Sequence, residues 1–124
     1  MNESTLRRTN CYKTADGAIR ASAITRRPIT YTELAKCMGS FPGSAVQNRA
    51  LYDIVIENAK TKEPLFTSLV VSEITNMPGD GFFSAAHEMG YRYKDRIKFV
   101  IEQQNKCYQY MRDLSTKISD GIQI

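Results

Sequence analysis

Two capping boxes constrain the fold of this chain most strongly. A capping box is a threonine or serine followed three residues later by a glutamate or glutamine. The two boxes are Thr30–Glu33 and Ser44–Gln47. Between them, Gly39 favours a helix end and Pro42-Gly43 favours a turn. The sequence therefore predicts a short helix, a turn and a longer helix from about Ala45 to Ala59.

A strand and a second turn are predicted after the longer helix. Pro64 ends that helix, because the residue before a proline avoids the helical conformation. Leu65–Ser72 is an apolar, β-branched run of strand length, and Asn76–Gly81 contains a Pro-Gly turn. This order of elements is that of a winged helix-turn-helix. We predict a mainly α fold with a small β-hairpin, a winged helix-turn-helix followed by a long C-terminal helix.

The flanking segments are predicted to complete one domain. Residues 1–12 are polar and lack a clear period, which predicts a flexible N-terminal tail. A first helix is expected over Ala15–Thr25, so the winged helix-turn-helix domain spans residues 13–91. Residues 92–124 contain the long C-terminal helix, from about Lys94 to Ser119, which must pack on the domain or on a partner.

Charge and composition favour a cytoplasmic protein with one phosphate-facing side. The first fifty residues carry eight basic and three acidic side chains, a net charge of +5, whereas the remainder carries −1. No apolar run approaches the ~18 residues of a membrane span, and no signal-peptide pattern opens the sequence. We therefore expect no membrane partner. The three cysteines lack metal-binding spacing and are expected to be reduced.

The sequence carries no recognisable catalytic, cofactor or metal site. His87 is the only histidine, and its neighbour Glu88 points to another side of the predicted helix. Asp80 and Asp95 become partners of His87 only if the fold brings them near. Gly79–Gly81 is not followed by the lysine of a phosphate loop, and a metal site needs at least three suitably spaced ligands. We predict a protein that is not an enzyme and binds no cofactor.

DNA binding by the longer helix is the first functional hypothesis. The opening turn of this helix presents side chains that can read base edges in a major groove, namely Gln47, Asn48 and Arg49. Basic side chains nearby in sequence are expected to contact phosphates, namely Arg26, Arg27, Lys36, Lys60 and Lys62. Double-stranded DNA is then the expected partner, and a regulator is the expected kind of protein.

A protein-interaction module on the same scaffold is the alternative hypothesis. Such a module would belong to a phage or mobile element, and would bind and inhibit a host nucleic-acid defence complex. Asp53 and Glu57 on the longer helix favour it, because acidic side chains there repel phosphate. Tyr31 and Tyr52 flank the helix-turn-helix, and aromatic side chains there either stack on bases or pack in a core, with packing favoured.

The C-terminal helix predicts a homodimer or another protein contact. Its apolar positions recur in steps near three and four. The expected interface residues are Ile97, Ile101, Tyr108, Met111, Leu114 and Ile118. The core before this helix needs only part of its length, so the remainder would leave an exposed apolar strip, and such strips mark interaction sites. A helix folded back along its own domain is the other arrangement.

About half of the chain resembles the DNA-binding half of alkylguanine-DNA alkyltransferases and alkyltransferase-like proteins. The shared features are a Thr-Tyr-x-x-Leu-Ala helix start at 30–35, Gly39, a recognition-helix segment at 44–51 and a Val-Val strand ending at 71. The resemblance implies a DNA-binding winged helix-turn-helix. The reactive Pro-Cys-His-Arg motif of that family would fall at Phe66–Leu69, where no residue matches, so no reaction is implied. The arginine with which that family pushes out a base would lie near Ser44, which is not basic.

Overall fold

The computed structural model describes residues 3–121, with side chains described over residues 9–118. Within that part the chain is mainly helical and has one small two-stranded sheet, which confirms the predicted mainly α class with a minor β component. The elements in chain order are α1 (Glu3–Ile24), β1 (Ile29–Thr30), α2 (Tyr31–Cys37), α3 (Ala45–Thr61), a 3₁₀ turn (Phe66–Leu69), β2 (Val70–Val71), α4 (Asp80–Glu88) and α5 (Arg96–Gly121).

Helix α2 begins at the predicted capping box. The Thr30 hydroxyl accepts a hydrogen bond from the Glu33 N–H at 3.0 Å, and the Glu33 carboxylate accepts one from the Thr30 N–H at 3.2 Å. The backbone N–H and the side chain of Thr30 together hold the pKa of Glu33 below its usual value. Gly39, just beyond the helix, takes a φ of +67°, the left-handed conformation that ends a helix at little cost for glycine.

Replacing Thr30 with alanine should lower the free energy of unfolding by about 1 kcal/mol, the usual size of a lost N-cap. Thr32, the other threonine that could cap this helix by sequence, lies inside α2. Thr32→Ala is therefore the matched control, and should leave stability unchanged or slightly raised, because alanine has the higher helix propensity. Urea unfolding of both variants measures the difference, and equal losses would contradict the cap.

Helix α3 begins at Ser44, as predicted. The Ser44 hydroxyl accepts from the Gln47 N–H at 3.1 Å. The reciprocal half of the predicted box does not form, because the Gln47 side chain accepts from the Gly43 N–H instead, at 2.9 Å. The helix continues to Thr61 and ends at Lys62, which has a left-handed φ of 58°.

The predicted β-hairpin is wrong. Strand β1 pairs in parallel with β2, with Ile29 opposite Val70 and Thr30 opposite Val71. Half of the predicted strand, Phe66–Leu69, is a buried 3₁₀ turn, and only Val70 and Val71 enter the sheet. Ser72 then closes the following loop, since its N–H donates to the Met77 carbonyl at 2.9 Å. The chain continues into α4 rather than returning as a second strand, so residues 3–121 contain no hairpin wing.

Helix α1 is longer than predicted. It begins at Glu3 rather than near Ala15, so residues 3–12 are helical where the sequence predicts an irregular tail. The helix packs against α3 and α5 and buries Ala15, Ile19 and Ala23. Packing against other helices stabilises helical segments whose own sequence carries no strong periodic signal.

Arg20 joins α1 to the end of α3. Its guanidinium lies 3.1 Å from the carboxylate of Asp16, 3.0 Å from that of Glu63 and 4.4 Å from the centre of the Phe66 ring. Burial raises the pKa of Glu63, but hydrogen bonds from Thr61 and Arg20 outweigh burial and hold that pKa below its usual value. The ion pair between Arg20 and Glu63 fixes the linker that leads from α3 into the 3₁₀ turn.

The core has two parts, and α5 contributes to both. The first part lies mainly among α1, α2, α3 and the 3₁₀ turn, and includes Ile19, Leu34, Ile54, Phe66, Leu69, Cys107 and Met111. The second part lies among α3, α4 and the start of α5, and includes Val55, Leu65, Phe82, Phe83, Phe99 and Val100. Helix α5 therefore packs along its own domain from Phe99 to Met111. Val46, at the start of α3, is exposed.

Candidate functional site

A cavity of about 610 Å³ lies between α2, α3 and α4. This volume is within the usual range of small-molecule sites, roughly 300 to 1,000 Å³. Its lining comes from five segments, namely Tyr31 of α2, Pro42 and Gly43 of the turn, Asn48, Leu51, Tyr52 and Val55 of α3, Thr67 of the 3₁₀ turn, and Gly79, Gly81, Phe82 and Ala85 at the start of α4. The walls are largely apolar and aromatic, with polar groups at a few positions.

Tyr31 lines the cavity, and hydrogen bonds hold both its side-chain hydroxyl and its backbone carbonyl. Its hydroxyl accepts a hydrogen bond from the Gly79 N–H at 2.8 Å, and its carbonyl accepts from the side-chain amide of Gln47 at 2.8 Å. Burial raises the pKa of the Tyr31 hydroxyl, although the Gly79 contact partly offsets that effect. A Cβ atom added at Gly79 would lie 3.4 Å from this hydroxyl, at the edge of ordinary van der Waals contact.

Gln47 fixes the rim of the cavity from inside the protein. Its side chain is fully buried, with 0% of its surface exposed. The amide nitrogen donates to the Tyr31 carbonyl, while the amide oxygen accepts from the Gly43 N–H at 2.9 Å. One side chain therefore ties together the start of α2, the turn and the start of α3. The prediction that Gln47 lies on the outer face is wrong, and its amide is not available to a base edge.

Two further aromatic rings line the cavity. Tyr52 of α3 donates its hydroxyl hydrogen to the carboxylate of Glu88 at 2.7 Å, which links α3 to α4. This hydrogen bond raises the pKa of Tyr52. Phe82, in the first turn of α4, is buried and meets the Phe83 ring edge-on with centroids 5.1 Å apart. Both rings are thus held by contacts outside the cavity, which favours a preformed shape.

Thr67 lines the cavity, and its hydroxyl is buried without an internal partner. The residue is 3% exposed, and its hydroxyl makes no hydrogen bond within the part of the chain that the structure describes. A buried hydroxyl normally has a partner, because leaving one unpaired costs about 1–3 kcal/mol. Gly79 and Gly81 bring the N-terminus of α4 to the same cavity, where a helix has N–H groups without intrahelical acceptors. Of these groups, the exposed N-terminus of α4 is the one that a ligand in the cavity can reach, because the Thr67 hydroxyl has no accessible surface.

The structure separates the residues predicted to read bases. Gln47 is buried, whereas Asn48 and Arg49 are exposed on the first turn of α3. The Asn48 side-chain amide donates to the Gly43 carbonyl at 3.3 Å, and Asn48 also lines the cavity. Arg49 lies 3.3 Å from the carboxylate of Asp53, one turn further along the helix. The exposed turn of α3 and the cavity therefore share one rim.

The residues predicted to contact phosphates do not share one surface. Arg26 lies over the ring of Tyr108 at 5.1 Å, on the side of α5. Arg27 lies 3.6 Å from the carboxylate of Glu33, and Lys36 is exposed at the end of α2. Lys60 and Lys62 are at the far end of α3, where Lys60 is about 17 Å along the axis from Arg49. Lys36 and Arg49 are the basic side chains on the two helix ends that flank the turn.

The apolar stripe predicted on α5 is split by its packing. Met111 is buried in the first part of the core, and Tyr108 packs against the same part. The exposed members are Ile97, Ile101, Leu114 and Ile118. At about 3.6 residues per turn, the first two and the last two project to different sides of the helix, so they do not form one continuous strip. The homodimer through α5 stays a prediction.

One of the three cysteines belongs to the core. Cys11, Cys37 and Cys107 are all free. Burial raises the pKa of the Cys107 thiol to about 12, so it stays protonated and behaves as part of the core. The described residues also contain no group of three or more His, Cys, Asp or Glu side chains placed to hold a metal ion.

Comparisons with protein-family models, with curated proteins and with solved structures gave no match. Among the described residues, no helix has both the length and the apolar character required to span a bilayer.

The sequence singles out some of the residues that line the cavity, but it does not predict the cavity. Tyr31 and Tyr52 stand out in the sequence as aromatic residues beside the helix-turn-helix, although packing is the favoured interpretation there. Thr67 could have been identified from the sequence, because the alkyltransferase resemblance places the reactive cysteine of that family at this position. Phe82 could not have been identified from the sequence, because its place in the cavity lining depends on how α4 packs against α3.

Proposed function

We propose that this protein binds DNA through the first turn of α3 and holds one unpaired nucleobase in the cavity, without reacting with it. The observation that carries the proposal is the shared rim, at which Asn48 is exposed on α3 and also lines the cavity. A duplex contacted by this turn would place its bases next to the opening. The order α2, turn and α3 is that of a helix-turn-helix. We propose DNA binding by this helix-turn-helix without the hairpin of a winged helix.

The chemistry of the cavity suits a nucleobase. A base is flat, with apolar faces and a polar edge, and proteins bind such rings by stacking on aromatic side chains and by hydrogen bonds to the edge. Tyr31, Tyr52 and Phe82 supply the aromatic surfaces. The exposed side chain of Asn48 and the exposed N-terminus of α4, at Gly79 and Gly81, would supply the polar contacts.

Binding without reaction follows from the side chains beside the cavity. Thr67 and Ser68 occupy the positions at which the resemblance places the reactive cysteine and its histidine. A threonine hydroxyl is a weak nucleophile unless a base removes its proton. The Thr67 hydroxyl makes no hydrogen bond to a described residue, and the Ser68 hydroxyl instead lies 4.0 Å from the Cys107 sulfur.

A duplex with one base opposite an abasic site is the decisive ligand for this proposal. Gel-shift titrations should give tighter binding to this duplex than to the fully paired duplex of the same sequence, because no pairing energy is lost when the base enters the cavity. Equal affinity for the two duplexes would remove the cavity from the proposal. Failure to bind either duplex at low salt would remove DNA binding altogether.

The charges flanking the turn give a second expected result. Lys36→Ala combined with Arg49→Ala should weaken binding to every DNA and reduce the slope of log affinity against log salt by roughly one to two. Lys60→Ala combined with Lys62→Ala removes the same charge at the far end of α3, and is the matched control. Titrations at several salt concentrations measure both slopes, and equal reductions would contradict docking through the first turn of α3.

The protein-interaction module remains the alternative proposal, because one observation favours it. Helix α3 carries the exposed acidic residue Glu57 and the exposed apolar side chain of Val46, beside the partly buried Asp53. Acidic groups repel phosphates, while mixed apolar and charged surfaces are common where proteins meet. On this alternative the chain would bind a host nucleic-acid defence complex. Binding to such a complex with no affinity for either duplex would favour it over DNA binding.

A further inference from the structure

A second cavity, of about 410 Å³, lies between α5 and the segment that follows α3. The residues that matter for its chemistry are Lys62 and Glu63 after α3, Tyr91 before α5, and Gln103, Lys106 and Tyr110 of α5. The two cavities share no lining residue. Lys62 caps the C-terminal end of α3, about 22 Å along the helix axis from Gln47. The second cavity is therefore a separate site at the other end of α3.

A buried side chain with one unused end lines the second cavity. Gln103 is 5% exposed, and its amide oxygen accepts from the Leu65 N–H at 3.0 Å. Its amide nitrogen donates to no described residue. The polar side-chain atoms that are fully enclosed without a partner, among the described residues, belong to Asn58 and Thr67. The Gln103 nitrogen is not one of them, so it keeps accessible surface, and its N–H groups can donate to a molecule in the second cavity.

The acceptor side chains of the second cavity are already used within the protein. The Glu63 carboxylate accepts from the Arg20 guanidinium at 3.0 Å, which also neutralises its charge. The Asp113 carboxylate accepts from Gln109 at 2.8 Å, and the Gln109 amide oxygen accepts from Arg112 at 2.7 Å. Every carboxylate and side-chain amide in the lining thus already accepts a hydrogen bond.

Two lysines leave positive charge in the lining. Lys62 and Lys106 are exposed, and their ammonium groups form no ion pair or hydrogen bond with a described residue. Asp113, the other acidic side chain of the lining, lies seven residues beyond Lys106, about 10 Å along α5. The unused groups are therefore two ammonium groups and an amide N–H, and all of them donate. Such a set of donors suits an oxyanion, which accepts short, charge-assisted hydrogen bonds.

Two tyrosine rings in the lining are held by contacts outside it. Tyr91 lies 5.9 Å from the ring centre of Phe99. Tyr110 meets the Phe66 ring edge-on with centroids 5.7 Å apart, and its hydroxyl donates to the Glu63 carboxylate. Rings that are already fixed lose little conformational entropy when a ligand covers them. They offer aromatic surface to a flat ring next to the donors.

We propose that the second cavity binds a nucleoside monophosphate. Its phosphate would lie between Lys62 and Lys106, and its base would accept from the Gln103 N–H beside the tyrosine rings. A phosphomonoester carries a charge of about −1.5 to −2 at neutral pH and three acceptor oxygens, which matches two lysines. This chemistry occurs in free nucleotides and at the 5′-end of a nucleic-acid strand. The site is remote from the first turn of α3, so its ligand does not depend on the proposed function.

Isothermal titration calorimetry with adenosine 5′-monophosphate tests the site. Wild-type protein should bind this nucleotide about tenfold or more tightly than adenosine, which lacks the phosphate, and than inorganic phosphate, which lacks the base. Equal affinity for the nucleotide and for inorganic phosphate would overturn the proposal. So would a Kd for the nucleotide above about 1 mM. Neither result bears on DNA binding by α3.

A pair of lysine variants locates the phosphate. Lys62→Gln combined with Lys106→Gln should weaken nucleotide binding about tenfold or more, because both charges that face the phosphate are lost. Lys60→Gln combined with Lys98→Gln removes the same charge from α3 and α5 outside the lining, and should change the affinity by about twofold or less. All four side chains are exposed, so both variants should fold. Equal losses for the two pairs would show general attraction rather than a site.

Gln103→Glu tests the buried amide. The change puts an oxygen in place of the unused N–H groups and keeps an oxygen to accept from the Leu65 N–H. Nucleotide binding should fall about tenfold or more, because a donor becomes a negatively charged acceptor. Circular dichroism checks the fold of this variant. Unchanged affinity in the folded variant would contradict the contact between Gln103 and the base.

A single-stranded trinucleotide separates the two sources of the ligand. With a free nucleotide as the ligand, a 5′-phosphorylated trinucleotide should bind about tenfold more weakly than adenosine 5′-monophosphate, because its further nucleotides do not fit the cavity. Equal affinity, lost when the 5′-phosphate is replaced by a hydroxyl and lost in the Lys62 and Lys106 double variant, would identify strand ends as the ligand of the same site.

Discussion

Gln47→Leu should lower the free energy of unfolding by about 2–4 kcal/mol, more than any surface substitution on α3. Leucine is close to glutamine in size, so the cavity left behind is small, but it can neither accept from the Gly43 N–H nor donate to the Tyr31 carbonyl. Both backbone groups lose their side-chain partner at a fully buried position. Urea denaturation followed by circular dichroism measures the loss.

Asn48→Leu is the matched control for this prediction. The neighbouring residue receives the same new side chain, but Asn48 is exposed and donates one hydrogen bond, to the Gly43 carbonyl at 3.3 Å. Its replacement should cost less than about 1 kcal/mol, because water can hydrate the freed carbonyl. Similar losses for the two variants would mean that the buried amide of Gln47 does not hold the turn to the two helices.

Leu51→Trp should abolish the proposed preference for a duplex with an unpaired base, a loss of about tenfold or more in affinity for that duplex. Leu51 is half-buried and lines the cavity from α3, so an indole there occupies the space that the base would take. Binding to the fully paired duplex should persist, since the exposed turn of α3 is unchanged. The chain has no tryptophan of its own, so the emission of the new residue also reports whether the indole is buried.

Val46→Trp controls for the introduction of a large ring into α3. Val46 is 46% exposed and lies outside the cavity lining, so its replacement should leave the duplex preference intact and give the emission of a hydrated indole. Retention of the preference in Leu51→Trp, with a buried emission spectrum, would show that the unpaired base binds elsewhere.

Local chemistry explains the parts of the fold that the sequence predicts well. The two N-caps depend on side chains that lie within three residues of the groups they bind, so Thr30 and Ser44 mark the helix starts without knowledge of the rest of the chain. The long C-terminal helix is likewise evident from its periodic apolar residues, although its observed bounds, Arg96–Gly121, lie two residues later than predicted.

The errors arise where distant parts of the chain decide the outcome. Residues 65–69 are as apolar as a strand, and periodicity cannot distinguish a strand from a buried 3₁₀ turn packed among α1, α3 and α5. Gln47 is polar and was expected outside, but it is buried because two backbone groups from other segments need its amide. The cavity is a product of the same long-range contacts, so its walls could not be assembled from sequence spacing.

The parallel pairing of β1 with β2 has a consequence for how the chain reaches its native state. It joins Thr30 to Val71, so α2, α3 and the 3₁₀ turn lie inside a closed loop whose two ends meet at the sheet. Closing a loop of this length costs conformational entropy, whereas contacts between neighbouring residues of a helix close only short loops. Contacts between residues distant in sequence also slow folding. Tyr31 and Thr67, which line the cavity, lie just inside the two ends of that loop. A nascent or partly unfolded chain can therefore contain α3 and yet lack a binding cavity, and a ligand of the cavity would select the fully closed chain and protect it from unfolding.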